Sequence, residues 1–197
     1  MAEKGWTSYV RKLTDRTPYI VGFRSGRERF SLLTAHIKYG DVPEARLPEL
    51  QALAGHVATE IRDRATAEGE ERNLIVLGDF NIDARGDNPL FQAFVSSGLV
   101  VPSGSLHLKT TYGTEPKYYD QIAWFMGDLD LLVTERAGVI DFEGAIFQDL
   151  TPREMSYRVS DHFPVWVEFL VDRSVEAMAL TLGLDPGMPN PLDTVPD

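Results

Sequence analysis

The chain has 197 residues, 43% of them hydrophobic and 25% charged, with no cysteine and a formal net charge of −11 from 19 Lys and Arg against 30 Asp and Glu. That length suits one domain with a tail and is ample for a hydrophobic core, while the lack of cysteine excludes a disulfide scaffold, a thiolate nucleophile and a thiolate metal site. Any metal has to be held by oxygen or imidazole ligands, and the acidic balance argues against charge-driven adhesion to nucleic acid without excluding an enzyme that meets phosphate through a divalent cation.

Met1 to Arg16 mixes charged and aromatic residues and lacks the apolar segment of a secretory signal. No uncharged apolar run approaches the roughly 18 residues that span a bilayer, so a soluble, cytoplasmic protein is expected. Tyr19 to Phe23 and Phe30 to Ile37 are rich in Ile, Val, Phe and Leu, with Ser25-Gly26-Arg27-Glu28 between them, the pattern of a hairpin. From Pro43 to Ala65, Leu47, Leu50, Leu53, Ala54, Val57 and Ile61 recur at helical spacing and predict an amphipathic helix that needs a sheet to lie on. Asn73 to Gly78 (NLIVLG) is a continuous apolar run, which predicts a central strand covered on both faces.

A second helix is predicted from Asn88-Pro89 to Ser97, with Pro89 suited to the first helical position and Gly98 to the stop. Gly104 to Pro116 reads as a polar loop. Tyr118 to Phe125, Leu129 to Thr134, Val139 to Phe142 and Phe163 to Val171 read as strands, and a short helix from Val175 to Leu182 precedes a Pro-rich tail. The expected organisation is an N-terminal segment 1–16, a domain 17–172 and a tail 173–197, with an α/β layered architecture and a mixed sheet.

Polar residues collect at the ends of the most apolar strands. The run from Phe30 ends in Thr34-Ala35-His36, the central strand runs into Asp79-Phe80-Asn81, Tyr118-Tyr119 leads into Asp120, and Ser160-Asp161-His162 precedes the last strand. Ligands of open α/β sheets bind beyond strand ends. In extended backbone, Asp79 and Asn81 would share a face, where a carboxylate and an amide can hold a hard cation or orient a water. Each residue alone is an ordinary turn or cap residue. Thr110 and Thr111 are additional candidates for hydrogen bonds to phosphate, and His56 and His107 are assigned to surface or core.

Taken together, LLTAHI, VLGDFN, Tyr119-Asp120-Gln121-Ile122 and Ser160-Asp161-His162-Phe163-Pro164-Val165 resemble the endonuclease/exonuclease/phosphatase superfamily, in the family's order and approximate spacing. The resemblance implies a DNase I-like four-layer α/β/β/α sandwich and metal-dependent phosphoester hydrolysis. It casts His162 as the base for in-line attack and Asp120 as the carboxylate that fixes its tautomer. Asp79 and Asn81 would orient the attacking water and the phosphoryl oxygens, and Asp161 is a carboxylate at the metal site. His36 is a second histidine at the phosphate or leaving group. With Asp79, Asn81 and Asp161 as metal candidates, the implied ion is Mg²⁺ or Mn²⁺.

The resemblance runs from near Thr17 to near Val171. The family's upstream strands, with the Glu that is its principal metal ligand, have no counterpart in this sequence, and Glu3 does not take that role. An uncovered sheet surface prone to self-association is therefore expected. The expected activity is a divalent-metal-dependent phosphoester hydrolase, in first place a nuclease acting on nucleic acid. A phosphatase of small or lipid phosphates and a catalytically impaired phosphate-binding or interaction module are the alternatives.

Overall fold

The computed structural model describes residues 16–26, 28–66, 73–112, 115, 117–125, 131–171 and 174–183. Segment 1–15, Leu129 and the Pro-rich stretch from 184 onward lie outside the described residues. Strands β1 (Tyr19–Ser25) and β2 (Glu28–His36) form the expected hairpin, with Ser25 opposite Glu28 and Gly26 at φ 59 in the turn. A positive φ there matches the right-handed twist of the two strands, and glycine adopts it without steric cost.

A 3₁₀ turn, Pro43–Arg46, leads into helix α1 (Leu47–Thr66). Leu50, Leu53 and Val57 on its apolar stripe are buried against Leu33, Leu74, Val76 and Phe80. Each such side chain contributes roughly 1.5 to 3 kcal/mol on burial, which outweighs helix propensity and fixes the helix on the sheet. Strand β3 (Leu74–Asp79) then pairs parallel to β2, a pairing that needs a crossover, and α1 is that crossover. Helix α2 (Pro89–Val95) starts at Asn88, whose Oδ1 accepts hydrogen bonds from the backbone N–H groups of Leu90 and Phe91, and Pro89 occupies the first helical position. Phe94 from this helix packs on Phe80 with ring centroids 4.6 Å apart.

Strands β4 (Leu99–Val100) and β5 (Asp120–Phe125) complete a mixed sheet in the order β1-β2-β3-β5-β4. Strands β6 (Leu132–Val139) and β7 (Val165–Leu170) form a second, antiparallel sheet, and helix α4 (Ser174–Thr181) follows α3 (Pro152–Arg158) and β7. Three differences from expectation have local causes. The strands expected at Leu129 to Thr134 and Val139 to Phe142 are one strand, because polar Thr134-Glu135-Arg136 makes a bulge rather than a turn. Glu135 takes φ 60 and Arg136 pairs with Glu168 of β7 at 2.9 Å. Phe142 instead packs on Phe163 and Tyr112, at 5.1 and 6.1 Å between ring centroids. Helix α3 was not expected, although Thr151 and Glu154 form a reciprocal capping box with Pro152 in the first turn.

One face of the large sheet carries α1 and α2. The other faces the small sheet: Trp124 meets Phe169 at 5.4 Å between centroids, and Leu32, Ile75, Leu77 and Ile122 face Val165 and Val167 across a cleft of 390 Å³. Helices, large sheet and small sheet thus follow in the order that an α/β/β/α sandwich requires. Phe23, stacked on Phe30 at the β1 edge, stays exposed on this face.

The decisive register lies at one end of the large sheet, where His36 of β2 stands opposite Asp79 of β3, and Asp79 opposite Asp120 of β5. Gly78 makes this possible. At φ 143 a Cβ there would lie 1.9 Å from the carbonyl oxygen of Ala35, so no side chain fits between β2 and β3. Gly78→Ala should therefore lower stability by about 3 kcal/mol or more, read as a fall in the urea midpoint at unchanged slope.

Candidate active site

Because β2 and β3 are parallel and β5 runs against them, the ends of the first two and the start of the third meet at one edge. Register partners point to the same side, so His36, Asp79 and Asp120 continue, beyond its polar limit, the face that carries Leu32, Leu77 and Ile122. His162 comes from far along the chain and is held there by main-chain bonds. Thr111 bridges to His162, the N–H of Tyr112 donates to Asp161 O at 2.8 Å, and the N–H of Phe163 donates to Thr110 O at 2.8 Å. The Thr110 hydroxyl accepts from the N–H of Asp120 at 3.0 Å, joining this strip to the start of β5.

The result is a compact cluster. His162 Nδ1 lies 2.7 Å from Asp120 Oδ2, and its Nε2 faces Asp79 Oδ2 at 4.0 Å. His36 Nε2 approaches the same Asp79 oxygen at 3.3 Å, with its side chain 50% exposed. Asp79 Oδ1 accepts the N–H of Asn81 at 2.9 Å. The chain turns at Asn81, where φ is 52, so the extended alternation expected for Asp79 and Asn81 ends there. Asn81 is buried, and its Nδ2 donates to Ile37 O at 2.7 Å, tying the β3 end to the β2 end. Asp161 is exposed at the rim, in an open pocket that Arg153 and Arg158 also line.

Thr110 and Thr111 turn out to be structural. Both are buried, and the Thr111 hydroxyl accepts the N–H of Lys117 at 2.7 Å, so their side chains brace the site rather than face a phosphate. Residues that the sequence gave no reason to single out complete the surround. Arg46, 2% exposed, donates to the carbonyls of Tyr39 and Asn81 and pairs with Asp83 at 2.8 Å. Its guanidinium lies under the Tyr39 ring, 4.2 Å from the centroid. Tyr119 stands between Tyr39 and His162, 6.0 Å from each between centroids. A buried arginine at a helix start reads in sequence like any surface arginine.

The electrostatics follow from these contacts. The ring bond to Asp120 raises the His162 pKa above its ordinary 6.5, opposed by burial and aided by the charges of Asp120, Asp79 and Asp161. Burial raises the Asp79 carboxyl above its ordinary 3.8, with the Asn81 N–H pulling it down, Asp120 pushing it up, and both histidines pulling it down. Burial and a hydrogen bond to Tyr39 push the Tyr119 phenol up, so it stays neutral.

The ion implied by the resemblance needs several oxygen or imidazole ligands. Among the described residues, no group of three or more His, Asp or Glu side chains is arranged to hold a metal ion. Asp79 and Asn81 are each engaged in the turn after β3. The described residues therefore do not make up a complete metal site.

A protein named deoxyribonuclease from Thioalkalivibrio sp. (strain K90mix) is 30% identical over 161 residues, which cover 78% of this chain and 43% of that protein. The chain thus spans less than half the length of this curated relative. No family model matches it. Among solved structures, a functionally unknown conserved protein from Enterococcus faecalis V583 superposes with a TM-score of 0.53 at 16% identity, over 80% of this chain and 57% of that one. A 3′ phosphatase from Neisseria bound to a product DNA hairpin gives 0.50 at 16% identity, over 86% and 84%.

The chain has the DNase I-like fold. In this DNase I-like domain His36, Asp79, Asp120 and His162 form the polar cluster at one end of the large sheet. Among the described residues no helix is long and apolar enough to cross a membrane.

A raised His162 pKa means that folding favours its protonated form. That contribution is complete below the ordinary pKa and is lost as pH rises through the higher folded value. By histidine NMR in EDTA, His162 should titrate above 6.5 in the native chain and shift downward in Asp120→Asn. The stability difference between the two proteins should be greatest below pH 6.5 and narrow as pH rises through the folded pKa of His162.

Proposed function

We propose that the domain from 17 to 172 carries the phosphoester-hydrolysing centre of a nuclease-type enzyme. The observation that carries this reading is the Asp120–His162 pair, with the free ring edge of His162 facing Asp79 across 4.0 Å. Asp120 accepts the proton on Nδ1, which leaves Nε2 unprotonated in the neutral ring. A gap of that width is too long for a direct hydrogen bond and accepts a water bonded to both groups. His162 Nε2 takes a proton from this water as its oxygen bonds to phosphorus in line, while the P–O bond to the leaving oxygen breaks on the opposite side and that oxygen takes a proton from solvent. The raised pKa suits a base that works near neutrality.

Asp79 orients the water, and the half-exposed His36 donates from Nε2 to a phosphoryl oxygen. Asn81 holds the β3 end so that Asp79 keeps its place, and Asp161 bears on His162 by its charge. A relative named deoxyribonuclease favours DNA as substrate. Mg²⁺ or Mn²⁺ is the ion that the resemblance implies, with Asp79, Asn81 and Asp161 the candidate donors. Their incompleteness as a site keeps the ion out of the steps above.

One observation favours a second reading, in which the domain binds phosphate without turning it over: the same incomplete donor set. The experiment that separates the two is product release from single-stranded DNA and from bis-p-nitrophenyl phosphate with Mg²⁺, Mn²⁺ or EDTA. The hydrolase reading expects turnover that falls about 100- to 10,000-fold in His162→Ala, the usual loss when a general base is removed. Phosphate binding in EDTA with no turnover in any arm overturns it in favour of the binding module.

A further inference from the structure

Tyr39 lies three residues beyond His36, in the loop that joins β2 to the 3₁₀ turn, and it is 53% exposed. Large aromatic side chains in such loops usually turn inward. This one is instead held outward from beneath: the Arg46 guanidinium stacks at 4.2 Å from its centroid, and Arg46 is itself fixed by Asp83 and by the carbonyls of Tyr39 and Asn81. A second brace is Tyr119, whose ring meets that of Tyr39 in an edge contact at 6.0 Å between centroids. Tyr119 also packs 6.0 Å from the His162 ring and reaches Asp83 at 3.5 Å.

A buried cation under an exposed ring does two things. It immobilises the ring, so that little rotamer entropy is lost when a ligand lands on it, and it occupies one face, leaving the other for a planar partner. Neither is needed for folding, since the half-exposed ring buries little apolar surface. The Tyr39–Tyr119–His162 row links the free ring to the hydrolytic cluster through two ring-to-ring contacts of 6.0 Å each.

Resting on the hydrolase reading above and naming its substrate class, we propose that Tyr39 is the stacking platform for an unpaired base that flanks the reacting phosphodiester. The ligand class is single-stranded nucleic acid, because a paired base offers no free face. Base-to-ring stacking is sequence-tolerant and adds affinity without adding positive charge, which suits a chain with a net charge of −11. Arg46 is the positioning residue behind the platform.

The test is fluorescence anisotropy with a labelled oligothymidylate and with an abasic phosphodiester oligomer of equal length and charge, both in EDTA, alongside turnover of the first. In Tyr39→Leu, binding of oligothymidylate should weaken about 5- to 100-fold while binding of the abasic oligomer stays as in the native chain. Tyr39→Trp should restore or tighten it, and turnover by Tyr39→Leu should show a raised KM at unchanged kcat. Equal affinity of native chain and Tyr39→Leu for oligothymidylate overturns the proposal, as does an equal loss for both oligomers or failure of the native chain to prefer bases. Loss of turnover in the native chain with the base preference intact would instead sink the hydrolase reading and leave the platform standing.

Discussion

The close approach of β3 to β2 at Gly78 is the constraint on which the polar cluster depends. A Cβ at this position would overlap the Ala35 carbonyl, so the two strands meet at this distance only because the residue has no side chain. One step further along the ladder, His36 faces Asp79, and across β3 Asp79 faces Asp120. A one-residue slip of register would turn these side chains to the helix-covered face and bury their charge among Leu33, Val76 and Ala123. The cost of burying those charges, and the fit of Gly78 against the Ala35 carbonyl, forbid the slip. Core packing and site assembly are thus one requirement.

His162 is brought to this row by a different means. Its segment adds no strand to the large sheet and is carried by a short strip, Thr110 to Tyr112, that bonds to Asp120 on one side and to Asp161, His162 and Phe163 on the other. Hydrogen bonds between backbone groups are directional, and those of this strip are sheltered by the Phe142–Phe163–Tyr112 aromatic group. The 2.7 Å contact of His162 with Asp120 is therefore set by main-chain geometry on both partners. A site built this way is pre-organised, since neither partner has to move to make the bond.

Much of this was legible in the chain because it rests on alternation and on short motifs. The hairpin, the crossover helix, the buried strand Leu74–Asp79 and the strand ends with His36, Asp79, Asp120 and His162 each carry a local signal. What was not legible depends on contacts between distant segments. Glu135 takes a left-handed backbone and keeps β6 going where its composition reads as a turn. Thr110 and Thr111 look like phosphate donors until their burial under Lys117 and Asp120 is known. Arg46 has the sequence context of a solvated helix residue, and its 2% exposure follows from a loop closure that no periodicity encodes. Helix α3 is the exception, as Thr151-Pro152-Arg153-Glu154 spells a capping box that composition alone hides.

Charge sets the last condition on function. A polyanion meets a chain of net charge −11, and two cations, the buried Arg46 and the half-buried Arg85, are already engaged. Arg46 serves Asp83 and two carbonyls, and Arg85 serves Gln121 and the Ser105 carbonyl, with burial lowering its pKa to about 10. Their role is to neutralise and fix loops rather than to grip phosphate. On the proposed function, attraction of a phosphodiester falls to local donors at the sheet edge, His36 and a protonated His162 among them, and to contact with the Tyr39 ring. Nucleic-acid binding of this kind releases few counterions and depends weakly on salt. On that reading binding also strengthens as His162 takes up a proton, the opposite of what hydrolysis needs, because His162 must be neutral to accept a proton from water. Binding and turnover therefore pull in opposite directions across neutral pH, and the Asp120 contact, by raising the pKa of His162, sets where the two cross.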